Sequence, residues 1–342
     1  MVKNGVRQGA VLSPTLFSLY MNSLLLQLKD SGFGCHIGNE FYGALAYADD
    51  VALLCPSRSG LQEMLNLCEK YFDLHKIIIS TTPDLKKTKT KCLYFSHTQD
   101  KKIPASIMYK DSPLPWVNAW LHLGNELNAM ELSKPFRSNM NSDTDMKRRK
   151  FIGKTHSLLQ EFGFLDHSIV FDIMNIYATS FYGSNLWMFS SLSSEKIFTS
   201  WNKMIRLVWN LPNTTHRYFI EEISNNPHIK ASLYQRYLVF LGSLRKSPKK
   251  FVASLVNRVC EDQGSITRKN INSIETDSKL SNVLSLNPRY VASNVTYASV
   301  PESEIWRIGF LEDLISVRSN QQHLDGFSKK EIEQMIVLIA TN

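Results

Sequence analysis

Two adjacent aspartates, Asp49 and Asp50, stand in the middle of an otherwise apolar run, FYGALAYADDVALLCP, at residues 41–56. Strand-compatible residues flank them, Leu45 to Tyr47 before and Val51 to Leu54 after, and Gly43 and Pro56 bound the stretch. The spacing therefore predicts a tight β-hairpin with the acids at its tip. Carboxylates amid so much hydrophobic sequence need a partner, because an unpaired buried charge is costly or neutralises itself by shifting its pKa. A divalent cation meets that need. Carboxylate oxygens are preferred ligands of Mg²⁺, which takes one or two of them and completes its shell with water and substrate phosphates. A solvated hairpin tip is the alternative that these residues alone leave open.

Elements on both sides must hold such a hairpin. Upstream, NGVRQGAVLSPTLFSLYMN (4–22) places a Gly-rich polar loop before a helix, with Ser13 as N-cap and Pro14 at the first helical position. That helix is expected from Ser13 to Ser31 and to end at Gly32, with Leu16, Leu19, Tyr20, Leu24 and Leu28 on its core face. Downstream, an amphipathic helix is expected from Ser59 to His75, with Leu61, Met64, Leu65, Cys68 and Phe72 on one face. A buried strand at Ile77 to Ile79, a lysine-rich stretch (Lys86, Lys87, Lys89, Lys91) and a second strand at Cys92 to Phe95 follow.

GVRQGAVLSPTLF (5–17) followed by YADD (47–50) resembles, in that order, the B and C motifs of reverse transcriptases, most closely those of non-LTR (LINE-type) retrotransposons. The resemblance implies an RNA-directed DNA polymerase: nucleotidyl transfer supported by two Mg²⁺ ions, with Mn²⁺ as a substitute, on an RNA template, a DNA primer and deoxynucleoside triphosphates. It makes Asp49 the principal metal ligand, Asp50 a secondary one, and Tyr47 the residue that shapes the hairpin beneath the primer end. It also turns Arg7, Gln8 and Gly9 toward the template and the incoming nucleotide. Gly9 lets a base pair approach the backbone, and Gln8 offers hydrogen bonds in either sense. Lys89-Thr90-Lys91-Cys92 is similar to the end of the D motif, which gives first Lys89 and then Lys91 the task of neutralising the triphosphate or protonating the leaving pyrophosphate. The Asn of that motif is absent from TTPDLKKTK (81–89). Trp120 to Gly124 resembles the E motif, a hairpin that grips the primer, with Gly124 at a strand end where another backbone comes close. SFYGSNLW (180–187) and SWNKMIRLVWNLPNTTHR (200–217) resemble the post-palm region of the same polymerases.

The expected fold class is α+β. Residues 1–130 would form part of a polymerase palm, an antiparallel sheet with helices; residues 131–225 a helical, thumb-like region; and residues 226–342 a helical extension with no assignable role. The boundary falls in the polar, Pro-containing segment 131–145. Lys147, Arg148, Arg149, Lys150 and Lys154 open the helical tract, and in a polymerase thumb such a cluster contacts phosphates. Ile197, Phe198, Trp201, Ile205 and Val208 recur at helical spacing before Pro212 and read as bundle core rather than base-stacking platforms.

Composition bounds the partners. Over 342 residues, 39 Lys and Arg against 31 Asp and Glu leave a formal charge of +8, which favours a polyanion, and 43% hydrophobic residues suffice for a core. The five cysteines, Cys35, Cys55, Cys68, Cys92 and Cys260, are scattered, odd in number and free of any C-x-x-C pair. They indicate reduced thiols in an intracellular protein, nuclear or cytoplasmic and not secreted, with no zinc-ligand spacing. Ser13-Pro14, Tyr20, Asn22 and Gln27 interrupt the apolar stretch Ala10 to Leu28, so it reads neither as a leader nor as a membrane span. Nothing in the sequence sets the oligomeric state.

The family also uses an aspartate from an A motif that precedes the B motif. This sequence begins inside the B motif, and no downstream acid substitutes: Asp84 and Asp100 lie in polar loops, Asp166 and Asp172 in helical sequence. The expectation is a chain that is inactive by itself. The alternatives are a non-catalytic nucleic-acid-binding remnant and an incompletely folded fragment with exposed sheet edges.

Overall fold

The computed structural model describes residues 9–81, 88–95, 104–128, 140–224 and 226–295, with short pieces between 307 and 338. The chain divides into two compact units, Met1–Leu121 with Leu127–Asn139, and His122–Glu126 with Met140–Asn342. Small antiparallel hairpins and helices make the first and helices dominate the second, so the fold is α+β. No described helix is long and apolar enough to cross a membrane.

In the first unit, α1 (Ser13–Asp30) precedes two hairpins, β1 (His36–Ile37) with β2 (Glu40–Phe41) and β3 (Ala44–Tyr47) with β4 (Asp50–Leu53). Then come α2 (Arg58–His75) and a hairpin of β5 (Ile107–Tyr109) and β6 (Ser112–Leu114). Helix α1 begins differently from expectation. Leu12 is already helical at φ −85° and ψ −13°, so Ser13 is the first helical residue, Pro14 the second, and no side chain caps the end. Its buried stripe is Ser13, Met21, Leu24 and Leu28, with Phe17 partly buried beside Met21, whereas Leu16 and Leu19 are 52% and 67% exposed. The stripe advances by three and four residues, the period of one helix face, and that face packs on the core shared with α2 and β3, while the expected core residue Tyr20 lies at its border, its hydroxyl donating to the His75 carbonyl of α2 at 3.1 Å.

Helix α2 is capped as such helices should be. The Ser57 hydroxyl accepts the Gly60 N–H at 3.1 Å, and Lys76 closes the other end in the left-handed region at φ 55°. Met64, Cys68, Tyr71 and Phe72 face Met21, Leu24 and Leu28, and the inner side of β3–β4 adds Ala44, Val51 and Leu53. The opposite flank of α2 is tied to β5. Gln62 bonds both the N–H and the carbonyl of Met108 at 2.8 and 2.7 Å, and Arg58 donates to the carbonyls of Ala105 and Ser106 at 3.0 and 2.6 Å.

The expected single palm sheet is not what these residues form. Among the described residues each sheet has two strands, and the expected strands at Ile77 to Ile79 and Cys92 to Phe95 do not form. Ile78 is 94% exposed, with Ile77 and Ile79 touching the edge of the core, and Cys92 makes one isolated parallel bridge to Trp116. An apolar run becomes a strand only where a partner edge takes up its backbone groups. Among the described residues no named strand pairs with Ile77 to Ile79, and in the second run the pairing stops at Cys92, whose N–H donates to the Pro115 carbonyl and whose carbonyl accepts the Val117 N–H, both at 2.9 Å.

In the second unit, α3 (Met140–Phe162), α4 (His167–Tyr177) and α5 (Leu192–Val208) pack together, and Phe151, Phe171, Trp201 and Phe181 form an aromatic cluster at their centre. Ile197, Phe198, Trp201, Ile205 and Val208 are all buried on α5, in keeping with their spacing. Then follow α6 (Arg217–Ser224), α7 (Ile229–Arg245), α8 (Lys250–Glu261), α9 (Ile266–Ser278) and α10 (Pro288–Ser293). Residues before and after position 226 share one core: Asn270 on α9, fully buried, accepts the Phe189 N–H at 2.9 Å and donates to the Trp187 carbonyl at 2.8 Å. Strands β7 (Ala119–His122) and β8 (Asn125–Asn128) pair as a hairpin whose tip, His122–Glu126, groups with this unit.

Candidate functional site

The acidic hairpin forms where the spacing places it. Ala44, Leu45, Ala46 and Tyr47 pair with Leu53, Ala52, Val51 and Asp50, leaving Ala48 and Asp49 as a two-residue turn. Ala48 has φ 51°, a conformation that L-residues other than Gly, Asn and Asp seldom adopt. A non-glycine residue held there costs about 1–3 kcal/mol and persists where its surroundings over-determine it, often at functional sites. Val51 and Leu53 anchor the hairpin's root on the α1–α2 core, while Tyr47 is 68% exposed and both carboxylates are exposed. Neither Asp49 nor Asp50 has a cation within 4.0 Å among the described residues. Two adjacent, exposed carboxylates, Asp49 in the turn and Asp50 at the start of β4, fit the oxygen chemistry of Mg²⁺. They offer two carboxylates, not three: among the described residues no cluster of three His, Cys, Asp or Glu residues could hold a metal ion.

The other expected contacts of this site are spread along the first unit. Gly9 has φ 83° with open space where a side chain would project, so its backbone, not a crowding neighbour, makes glycine necessary there. Arg7 and Gln8 lie outside the described residues. Lys89 is exposed, and Lys91 sits with its ammonium 4.0 Å from the centre of the Trp120 ring. Lys86, Lys87, Asp84 and Asp100 lie outside the described residues. Asp166 is the N-cap of α4, accepting the Ser168 N–H at 2.9 Å, and Asp172 lies within that helix.

A second constellation lies in the helical unit. Leu123 and Gly124 turn the β7–β8 hairpin with φ 47° and 77°, and a side chain on Gly124 would meet the Tyr182 ring at 3.1 Å. Lys147 on α3 gives its three N–H donors to the fold: to Asp143 at 3.0 Å, to the Asn125 amide oxygen at 2.9 Å and to the Tyr182 carbonyl. Asp143 in turn accepts the Trp187 indole N–H at 3.1 Å and the Glu126 N–H at 3.3 Å. Arg148 is paired with Asp145 at 3.2 Å. Lys154 donates to the Tyr177 carbonyl at 3.0 Å and lies 4.4 Å from the centre of that ring. Of the five basic residues, Arg149 and Lys150 are the two whose side chains are exposed to solvent.

Comparison with known proteins agrees with the motif reading. Residues 1–135 match the family model described as reverse transcriptase (RNA-dependent DNA polymerase). This stretch resembles a non-LTR retrotransposon reverse transcriptase. One relative is the retrovirus-related Pol polyprotein of the type-2 retrotransposable element R2DM of Drosophila melanogaster, 41% identical over 88 residues. Those residues are 26% of this chain and 8% of that protein. Another is the retrovirus-related Pol polyprotein of the type-1 retrotransposable element R2 of Nasonia vitripennis, 46% identical over 65 residues, which are 19% of this chain and 6% of that protein. The chain thus matches only a small part of the length of either relative.

Tyr177, Tyr182 and Arg236 were not singled out by the sequence pattern. Arg236 on α7 donates to the carbonyls of Thr179 and Ser180 at 3.3 and 3.1 Å, fixing the segment between the two tyrosines. A local signal existed in part, since Tyr182 precedes a glycine in a turn; the lysines that meet the rings come from α3 and appear only on folding.

Proposed function

We propose that the chain is part of an RNA-directed DNA polymerase of the reverse transcriptase class, with residues 1–130 contributing to a palm, 131–225 a thumb-like region and 226–342 a helical extension of that region. The observation that carries the reading is the exposed Asp49–Asp50 hairpin, inside the stretch that matches the reverse transcriptase family. Asp49 and Asp50 would hold Mg²⁺, or Mn²⁺ in its place, and the ion would supply Lewis-acid stabilisation of phosphate charge. Tyr47, beside them, would support the primer end. Gly9, with Arg7 and Gln8, would face template and incoming nucleotide, and Lys89 would neutralise the triphosphate. Gly124 would line the primer-facing tip of its hairpin. Arg149 and Lys150, with Lys154, would contact phosphates, whereas Lys147 would hold the hairpin tip in place for them. The substrates of this reading are an RNA template, a DNA primer and deoxynucleoside triphosphates.

Catalysis would need a third carboxylate from outside the described residues. Primer extension on poly(A)/oligo(dT) with Mg²⁺ or Mn²⁺ tests this. The 342-residue chain should stay at background, and the same chain joined to an upstream segment carrying an aspartate should extend the primer until Asp49 is changed to Ala. Extension by the 342-residue chain that vanishes in Asp49→Ala would overturn the need for that carboxylate. Extension by the longer chain that survives Asp49→Ala would overturn the metal site. A non-catalytic nucleic-acid-binding role is the second reading, favoured by the two-ligand character of the hairpin.

A further inference from the structure

Tyr177 and Tyr182 each lie against one lysine on the same side of α3. Each is well exposed, at 53% and 62%, and each lies beside a lysine of α3: Lys154 beside Tyr177, Lys147 beside Tyr182 at 5.7 Å from the ring centre. Lys147 and Lys154 are two helical turns apart, which sets the rings roughly 10 Å apart along α3. That distance is about three steps of a stacked strand at 3.4 Å per step. Between them along the same side of α3 lies exposed Lys150. The backbone linking the rings is held by Arg236. Exposed aromatics interleaved with cations are the features of a single-strand nucleic-acid track. Bases stack on the rings irrespective of sequence, and cations follow the phosphates.

We propose that Tyr177 and Tyr182 are base-stacking residues for a single nucleic-acid strand laid along α3, with Lys150 between them meeting its backbone. The proposal rests on the nucleic-acid reading above and adds to it a stacking contribution made by two residues outside the basic cluster. Local charge favours this occupant: Asp143 and Asp145 neutralise Lys147 and Arg148, and Arg149, Lys150 and Lys154 have no carboxylate within 4.0 Å among the described residues.

The test is fluorescence anisotropy of the full 342-residue chain with labelled single strands of about 12 nucleotides, RNA and DNA in parallel, a length within the usual span of such sites. Tyr177→Ala and Tyr182→Ala should each weaken binding about fivefold or more, and Tyr→Phe at either position should stay within about twofold, because stacking needs the ring and not the hydroxyl. A strand of the same phosphate count with abasic positions should bind the wild type about as weakly as the intact strand binds the double alanine variant. Alanine variants that bind like the wild type, or an abasic strand that binds like the intact one, would overturn the stacking role while leaving the nucleic-acid reading intact. No binding of either strand by the folded wild type would overturn both. Should an alanine variant fail to fold, the abasic strand against wild type decides alone.

Discussion

The amide oxygen of Asn125 occupies the space that a side chain on Gly183 would need: a Cβ at 183 would come within 1.7 Å of it. The same oxygen accepts a hydrogen bond from Lys147 at 2.9 Å, so the hairpin tip, α3 and the 3-10 turn at Ser184–Leu186 meet at one point. Gly183 also has φ 78°, where an L-residue is strained even in open space. Gly183→Ala should therefore destabilise the helical unit by about 2–4 kcal/mol, from backbone strain plus displacement of Asn125. Urea unfolding followed by circular dichroism measures it, and a loss below about 0.5 kcal/mol, the range of a surface substitution, would contradict the packing described.

Lys147 and its basic neighbours should part company under mutation. The Lys147–Asp143 pair is nearly buried, at 10% and 9% side-chain exposure, so Lys147→Gln leaves a buried carboxylate without its cation. Breaking one side of such a pair costs about 3–5 kcal/mol. Arg149→Gln and Lys150→Gln should cost little stability and instead lower the salt dependence of nucleic-acid binding, each removed phosphate contact reducing the slope of log affinity against log salt by about 0.7–0.9. The paired measurement is thermal melting and salt-titrated affinity on all three variants. A flattened salt slope with unchanged melting in Lys147→Gln would reverse the roles assigned.

What the sequence displayed, and what it hid, follows from which interactions are local. The Asp49–Asp50 turn was legible because strand alternation and its bounding Gly43 and Pro56 lie within one short stretch. The buried face of α5 was legible because one helix writes its own period. The five basic residues from 147 to 154 look alike in sequence and differ only by tertiary partners: Lys147 meets Asn125 and the Tyr182 carbonyl, while Arg149 and Lys150 face water. Leu16 and Leu19 share a plausible helix face with Leu24, yet packing chose the stripe through Met21, which a period read to within one residue does not distinguish. Ile77 to Ile79 carried strand-forming side chains, but its pairing depended on a partner the local sequence does not specify.

The acidic turn should tolerate a change that relieves it. With Ala48 at φ 51°, Ala48→Gly removes the Cβ penalty of the left-handed region, partly offset by the greater freedom of glycine in the unfolded chain. A net gain of about 0.5–1 kcal/mol is expected. Thermal unfolding of the variant checks it; a loss of stability would mean that the turn is not held in that conformation.

Stability should also depend on pH through His228. Burial, and after it the neighbouring Lys230 charge, holds its imidazole down to about 3 from an ordinary 6.5. The side chain caps α7, its Nδ1 accepting the Lys230 N–H at 3.1 Å, a role that needs the neutral ring. Above about pH 6.5 the ring is neutral in both folded and unfolded chains, and the group adds no pH dependence. Below that, the unfolded chain takes up a proton that the folded chain refuses, so stability falls as pH drops from about 6.5 toward 3, by up to about 1.4 kcal/mol per pH unit. His228→Asn keeps a capping acceptor and removes the titration. Urea midpoints at pH 7.5 and pH 5 should separate clearly in the wild type and much less in His228→Asn; an equal separation in the two proteins would show that another group carries the acid sensitivity.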